Sequence, residues 1–346
     1  MKNRAFWGAF LCLISTVSWG AMFPVAEDAF RQQLDPFYFT LLRYVSVMII
    51  LVVWLLWKEG KQAFRFEGKG LQLWFFGTMA FTVYNLLIFW GQDLMGEPGT
   101  MAASIMESLM PMISIVIVWL LVRKRPHIVT LLCVLVGFAG AFLVITKGDF
   151  GAFFQASNAI IPSLLLFIAV VGWVVYTMGG SKFEGWSALR YSTLSCLLGT
   201  ITAAVVVFFV TLTGYISVPT AETLAATSPN IAFMVILPGL IALVGWNYGV
   251  SVIKPLNGLL FLNFVPVTTL VIQAAQGAPI TIYDYVGTLF IVASLISNNI
   301  FQRMQQKRAN AHAETIKATT KNHSEPPFAP AKTKPAIGNT NTHVIS

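Results

Sequence analysis

Between Ala5 and Gln302 the chain is a succession of apolar stretches, each about as long as a bilayer's hydrocarbon core is thick. Short joints carrying charge, Pro or Gly separate them. A helix needs about 20 mainly apolar residues to cross that core. The stretches run over 5–26, 37–57, 71–93, 99–121, 127–146, 160–179, 188–213, 231–252, 256–276 and 281–302. Inside lipid the chain must satisfy its own backbone polar groups, and stretches of this length do so as helices. Hydrophobic residues make up 56% of the sequence and charged residues only 10%. Soluble domains carry roughly a quarter charged residues, so lipid is the solvent for most of this chain.

The formal charge of +8 raises the question of nucleic acid. Its distribution answers against it, because the basic residues sit in short joints and in the tail, where they meet anionic headgroups. Lys58, Lys61, Arg65 and Lys69, then Arg123, Lys124 and Arg125, then Lys182, Arg190 and Lys254 fall on one side of a ten-span count. Arg31 and Lys147 fall on the other. The excess of Lys and Arg marks the cytoplasmic side, so both termini are expected there, in a bacterial inner membrane. The first stretch lacks a small-residue cleavage site and reads as a retained span. Residues 303–346, rich in Lys, Thr, Asn, Ala and Pro, read as a disordered cytoplasmic tail.

One triplet occurs twice, as Leu42-Arg43-Tyr44 and Leu189-Arg190-Tyr191, each near the start of an apolar stretch. Each follows a stretch carrying Trp, at Trp19 and Trp173, and Pro111 is echoed by Pro266. Duplication with an odd number of spans per half inverts the second half. The expected fold is therefore an all-α membrane protein of ten transmembrane helices, built as two inverted five-helix repeats over 1–150 and 151–302. Arg43 and Arg190 then start helices at opposite membrane edges. There each reaches interfacial water, phosphate or neighbouring helix carbonyls and anchors or gates its half, with a substrate carboxylate as the alternative partner, while Pro111 and Pro266 permit bends.

With Trp19-Gly20 late in the first stretch, the repeated Leu-Arg-Tyr, Pro111, and Gly137 and Gly140 in the fifth, the chain resembles the drug/metabolite transporter superfamily, in its EamA-type ten-helix form. The likeness covers residues 5 to 302. Trp246-Asn247-Tyr248-Gly249 and Asn263-Phe264-Val265-Pro266 are similar to the pattern of bacterial exporters of aromatic amino acids and related metabolites. Tyr84-Asn85 and Glu107-Ser108-Leu109-Met110-Pro111 match more loosely, with Glu107 where that pattern carries a neutral amide. The resemblance implies a basket of helices around a central cavity, lined by the third, fourth, eighth and ninth.

The residues themselves point to a similar place. Glu107 shares a helix face with Ala103 and Pro111, and an acid at that depth is costly unless it has a function or a partner. It can bind a substrate ammonium, or change protonation and so couple transport to protons. Asn85, Asn247 and Asn263 offer donors and an acceptor without full charge. Trp19, Tyr84 and Trp246 offer flat faces to a solute. These seven form the expected substrate-binding set. Cys12, Cys133 and Cys196 lie isolated in apolar stretches without metal-ligand spacing, so no metal, cofactor or catalytic group is expected and the chain is not an enzyme. The expected function is a secondary transporter exporting a small organic metabolite, an amino acid, by alternating access. The alternatives are a carrier of nucleosides or another metabolite, and a non-transporting structural membrane protein. Its expected partners are a small-molecule metabolite and the lipid bilayer, with no nucleic acid and no second copy.

Overall fold

A computed structural model describes residues 2–305 except 97, 123–126, 147, 150–156, 278–279, 295, 299 and 302–303. Its helices are α1 (Lys2–Arg31), α2 (Pro36–Glu59), α3 (Gly70–Met95), α4 (Gly99–Ser108), α5 (Met110–Val122) and α6 (Ile128–Thr146). They continue as α7 (Ser157–Gly179), α8 (Ala188–Leu212), α9 (Ala221–Ile253), α10 (Pro255–Leu259), α11 (Phe264–Ala275) and α12 (Ile282–Asn298). A tight 3₁₀ turn, Leu260–Asn263, joins α10 to α11.

Local chemistry sets several of these boundaries. Asp35 caps α2, accepting from the Phe37 N–H at 2.8 Å, and Pro36 occupies the first helical position, where a missing N–H costs nothing. Ser187 caps α8 through the Arg190 N–H, and Thr220 caps α9 through the Thr223 N–H. Two long helices contain a widened π-type stretch, Thr78–Tyr84 in α3 and Val235–Ile241 in α9. The second encloses Pro238, which has no N–H to give the helix ladder.

Residues Met1–Asn299 form one compact unit. In it α1 packs along α9 and α11, and α3 is clasped between α7 and α8. At the α3–α8 crossing a Cβ on Gly77 would stand 2.3 Å from the Ser195 carbonyl oxygen, and one on Gly199 2.2 Å from that of Gly77. Glycine is therefore what lets these two backbones meet. Large apolar side chains such as Val53, Trp57, Phe208 and Phe209 point outward and stay exposed, as a lipid-facing surface requires.

The expectation of ten spans in two inverted five-helix repeats is corrected. Among the described residues seven helices are long and apolar enough to cross a membrane, or eight if a bent pair counts as one span. That pair is Gly99–Ser108 and Met110–Leu120, meeting at 44°. The stretch 99–121 is expected as one span with a bend permitted at Pro111, which cannot donate to the Glu107 carbonyl one turn earlier, and the ladder breaks there. At the fifth and tenth expected spans the apolar segments are shorter, Ile128–Gly137 within α6 and Ile282–Asn298 in α12. Of the expected tail, 303–346, all but Met304 and Gln305 lies outside the described residues.

Candidate functional site

Glu107 ends α4 at the break before Pro111 and is 1% exposed. The Tyr84 hydroxyl, at the end of the π-type stretch of α3, donates to Glu107 Oε1. Glu107 Oε2 is buried without a partner. Next to Tyr84, Asn85 donates to the Ala80 carbonyl at 2.7 Å and accepts from Arg43 Nη1 at 3.4 Å. The Arg43 guanidinium lies 4.6 Å from the centre of the Tyr44 ring, and its Nε has no partner among the described residues. A buried acid and a buried base thus face one region, each with an unused polar atom. Such atoms are expensive to leave unsatisfied, and they suit a ligand that brings both a donor and an acceptor.

Arg43 is 1% exposed, so its expected reach to interfacial water is corrected. The helix starts at Pro36, which puts Arg43 two turns inside it, whereas Arg190 stands in the first turn of α8. The same triplet lies at different depths. Arg190 Nη2 pairs with Glu67 Oε1 at 2.8 Å, and its guanidinium covers the Trp186 ring at 3.9 Å. The Trp186 N–H and then Arg190 hold the exposed Glu67 carboxyl below its ordinary value.

Beside Glu107 and Tyr84 lies an aromatic cluster. Trp19 meets Trp173 and Trp246 at 5.1 Å each, Tyr84 meets Trp173 at 5.1 Å, and Trp173 meets Tyr176 at 5.3 Å. Trp19 donates to the Pro238 carbonyl at 3.2 Å, inside the π-type stretch of α9, and Trp246 donates to Thr177 Oγ1 at 3.3 Å. Trp173 Nε1 is buried with no acceptor. Asn247 donates to Tyr176 Oη and to Ser192 Oγ, both at 2.8 Å.

The structure therefore gathers Trp19, Tyr84, Asn85, Glu107, Trp246 and Asn247 around one core. Asn263 stands apart. It is half-buried, bonds its own turn at the Leu260 carbonyl (2.6 Å), and leaves Oδ1 unpartnered. Its segment nevertheless packs against α4, so the broken regions before Pro111 and Pro266 adjoin. Arg43, Trp173 and Tyr176 were not in the expected binding set, and each has a polar atom in the core network. The signal for Trp173 and Tyr176 was their place in the seventh helix, echoing Trp19 in the first.

A cavity of about 830 Å³ opens between the α1 end and α11, lined among others by Glu27, Asp28, Arg31 and Gln273. A second, of about 550 Å³, opens at the end of the molecule bearing Lys182 and Lys254, and Asn247 lines it. A third, of about 530 Å³, is lined by Phe37, Trp90 and Tyr215, while the tryptophan cluster and Glu107 are buried in the core.

Comparison with known proteins places this architecture. The model of the EamA-like transporter family matches twice, over residues 6–146 and 160–300. An uncharacterized transporter of Bacillus subtilis (strain 168), YrdR, is 49% identical over 318 residues, covering 92% of this chain and 99% of its own. A second from the same organism, YyaM, is 22% identical over 74% of this chain and 81% of its own. An uncharacterized transporter of Archaeoglobus fulgidus is 24% identical over 75% and 85%. A solved crystal structure shares the fold, with a TM-score of 0.63 and 18% identity over 86% of this chain and 98% of its own. The chain belongs to the EamA-like transporter family, and is a multi-pass membrane carrier of small molecules and not an enzyme.

Proposed function

We propose that this carrier is a secondary transporter that exports an amino acid by alternating access, coupled to protons through Glu107. The observation that carries the reading is the buried Glu107 carboxyl at a helix break, one oxygen bonded by Tyr84 and the other free. An ammonium fits the free oxygen, and Arg43 with Asn85 offers the complementary donor for a carboxylate. Trp19, Trp246, Asn247 and Asn263 complete the path, and Arg43, Arg190, Pro111 and Pro266 take part in its opening and closing. The Lys and Arg distribution supports an inner-membrane location with both termini cytoplasmic. The double family match supports halves at 1–150 and 151–302, followed by a cytoplasmic tail over 303–346, in a monomeric carrier.

The test is uptake of a radiolabelled panel into proteoliposomes, with and without a pH gradient, for the natural protein and Glu107→Gln. Amino acids are taken up in response to the gradient, and the variant loses that response. Uptake of nucleosides in place of amino acids overturns the substrate. A variant with unchanged gradient dependence overturns proton coupling through Glu107.

A further inference from the structure

The cavity at the Lys182 and Lys254 end has a chemical polarity that its hydrogen-bond network fixes. Ser195 spends its proton on the Tyr191 carbonyl at 2.5 Å, so at the 3.3 Å contact between Tyr176 Oη and Ser195 Oγ the tyrosine must donate. Tyr176 Oη is then free to accept, and Asn247 Nδ2 supplies that bond, with its second hydrogen on Ser192. Both amide hydrogens are spent. Asn247, 8% exposed, has no protein donor on Oδ1 among the described residues, and that oxygen is not sealed within protein. It therefore presents an acceptor, and no donor, to the cavity that the residue lines.

Asn247 and Ser251 stand one turn apart on one face of α9, Lys254 follows directly past the helix end, and all three line this cavity. Lys254, where α9 ends in a left-handed turn (φ 75°), is exposed and forms no ion pair among the described residues. From Asn247 to the helix end at Ile253 the axis rises about 9 Å, and the long side chain of the next residue, Lys254, can reach back along it. Phe183, Trp186 and Tyr191 supply the apolar wall, and Glu184 at the mouth repels a solute of net negative charge. The volume of about 550 Å³ lies inside the range of about 300–1,000 Å³ usual for small-molecule sites.

We infer that this cavity is a loading site for a zwitterionic amino acid with an aromatic or large apolar side chain. Its ammonium donates to Asn247 Oδ1, its carboxylate accepts from Lys254, and its side chain lies against Phe183, Trp186 and Tyr191. The inference deepens the amino-acid reading above and rests on it, but concerns a site separate from Glu107.

Equilibrium binding of radiolabelled phenylalanine to the purified full chain in detergent tests it. The competitors are phenethylamine, which lacks the carboxylate, and 3-phenylpropionate, which lacks the N–H donor. Each binds about tenfold or more weakly than phenylalanine, the scale of one hydrogen bond to a charged group. Lys254→Met, a change at an exposed side chain, weakens phenylalanine about tenfold and leaves phenethylamine unchanged. Equal competition by all three ligands, no binding of phenylalanine, or a variant that treats phenylalanine as the natural protein does overturns the site. If the natural protein still takes up amino acids in proteoliposomes in any of those cases, the transport reading stands while this site falls. If it takes up none, the transport reading falls on its own test.

Discussion

Arg43 and Arg190 occupy the same place in the same triplet, yet one is a core residue and the other a rim residue. Arg43 sits two turns inside α2, buried, bonding Asn85 and acting on Glu107 through space. Arg190 sits in the first turn of α8, stacked on Trp186 and paired with a half-exposed Glu67. The tyrosines beside them are alike, since Tyr44 and Tyr191 are both buried against other aromatic rings. What differs is how much helix precedes the triplet. In a membrane protein the depth of a charge decides whether it is solvated or must be served by protein groups.

The largest effect expected from this contrast is on stability. Arg43→Ala strips Asn85 Oδ1 of its donor and leaves Glu107 without the nearby cation. Breaking such a buried arrangement costs about 3–5 kcal/mol, and transport is abolished. Arg190→Ala loses a rim ion pair and a cation–π contact, at most about 2 kcal/mol, and transport is slowed but not abolished. Thermal unfolding in detergent, paired with proteoliposome uptake, measures both. Equal losses would show that depth is not what separates the two arginines.

Tyr84 and Tyr191 sharpen the comparison by a smaller amount. Tyr84→Phe removes the only donor to a buried carboxyl among the described residues, while Tyr191→Phe removes a 3.1 Å bond to the neutral carbonyl of Tyr176. Bonds to charged groups are worth about 1.5–3 kcal/mol and neutral ones about 0.5–1.5, so Tyr84→Phe has the lower unfolding midpoint wherever the Glu107 carboxyl is ionised. Tyr84→Phe also shifts the pH dependence of uptake, and Tyr191→Phe leaves it in place. The reverse order of midpoints would mean that Glu107 gains little from Tyr84 and that the core network is centred elsewhere.

Much of this was legible in the residues. A polar or aromatic side chain in an apolar stretch announces itself, which is why Trp19, Tyr84, Glu107, Trp246 and Asn247 were identifiable before their contacts were known. Pro111 carried the signal for the break beside Glu107, while apolarity alone counted the fifth and tenth stretches as full spans where the apolar helices are shorter. The π-type stretch at Thr78–Tyr84 has no such marker, since it contains neither Pro nor Gly. Arg43 was misread because its partner, Asn85, is 42 positions away, and no local pattern encodes a contact between helices. For the same reason nothing in the chain foretold that Trp173 would keep an unspent N–H in the core.

The smallest effect belongs to the rim, and it is a pH effect. Glu67 lies outside the spans, in the joint between α2 and α3, and its carboxyl titrates below the ordinary 4.5 because the Trp186 N–H and the Arg190 guanidinium favour its charged form. A depressed folded-state value means the contact contributes fully above 4.5 and fades only as pH falls through the lower, folded value. The difference in unfolding midpoint between the natural protein and Glu67→Gln should therefore stay constant from neutral pH down to about 4.5 and narrow below it. Because Glu67 is solvent-exposed, salt shrinks this difference at every pH, whereas the loss in Arg43→Ala, buried among protein groups, does not respond to salt. A Glu67 difference that ignored salt, or that narrowed well above 4.5, would mean that the Arg190 pair is coupled to another titrating group and is no simple rim contact.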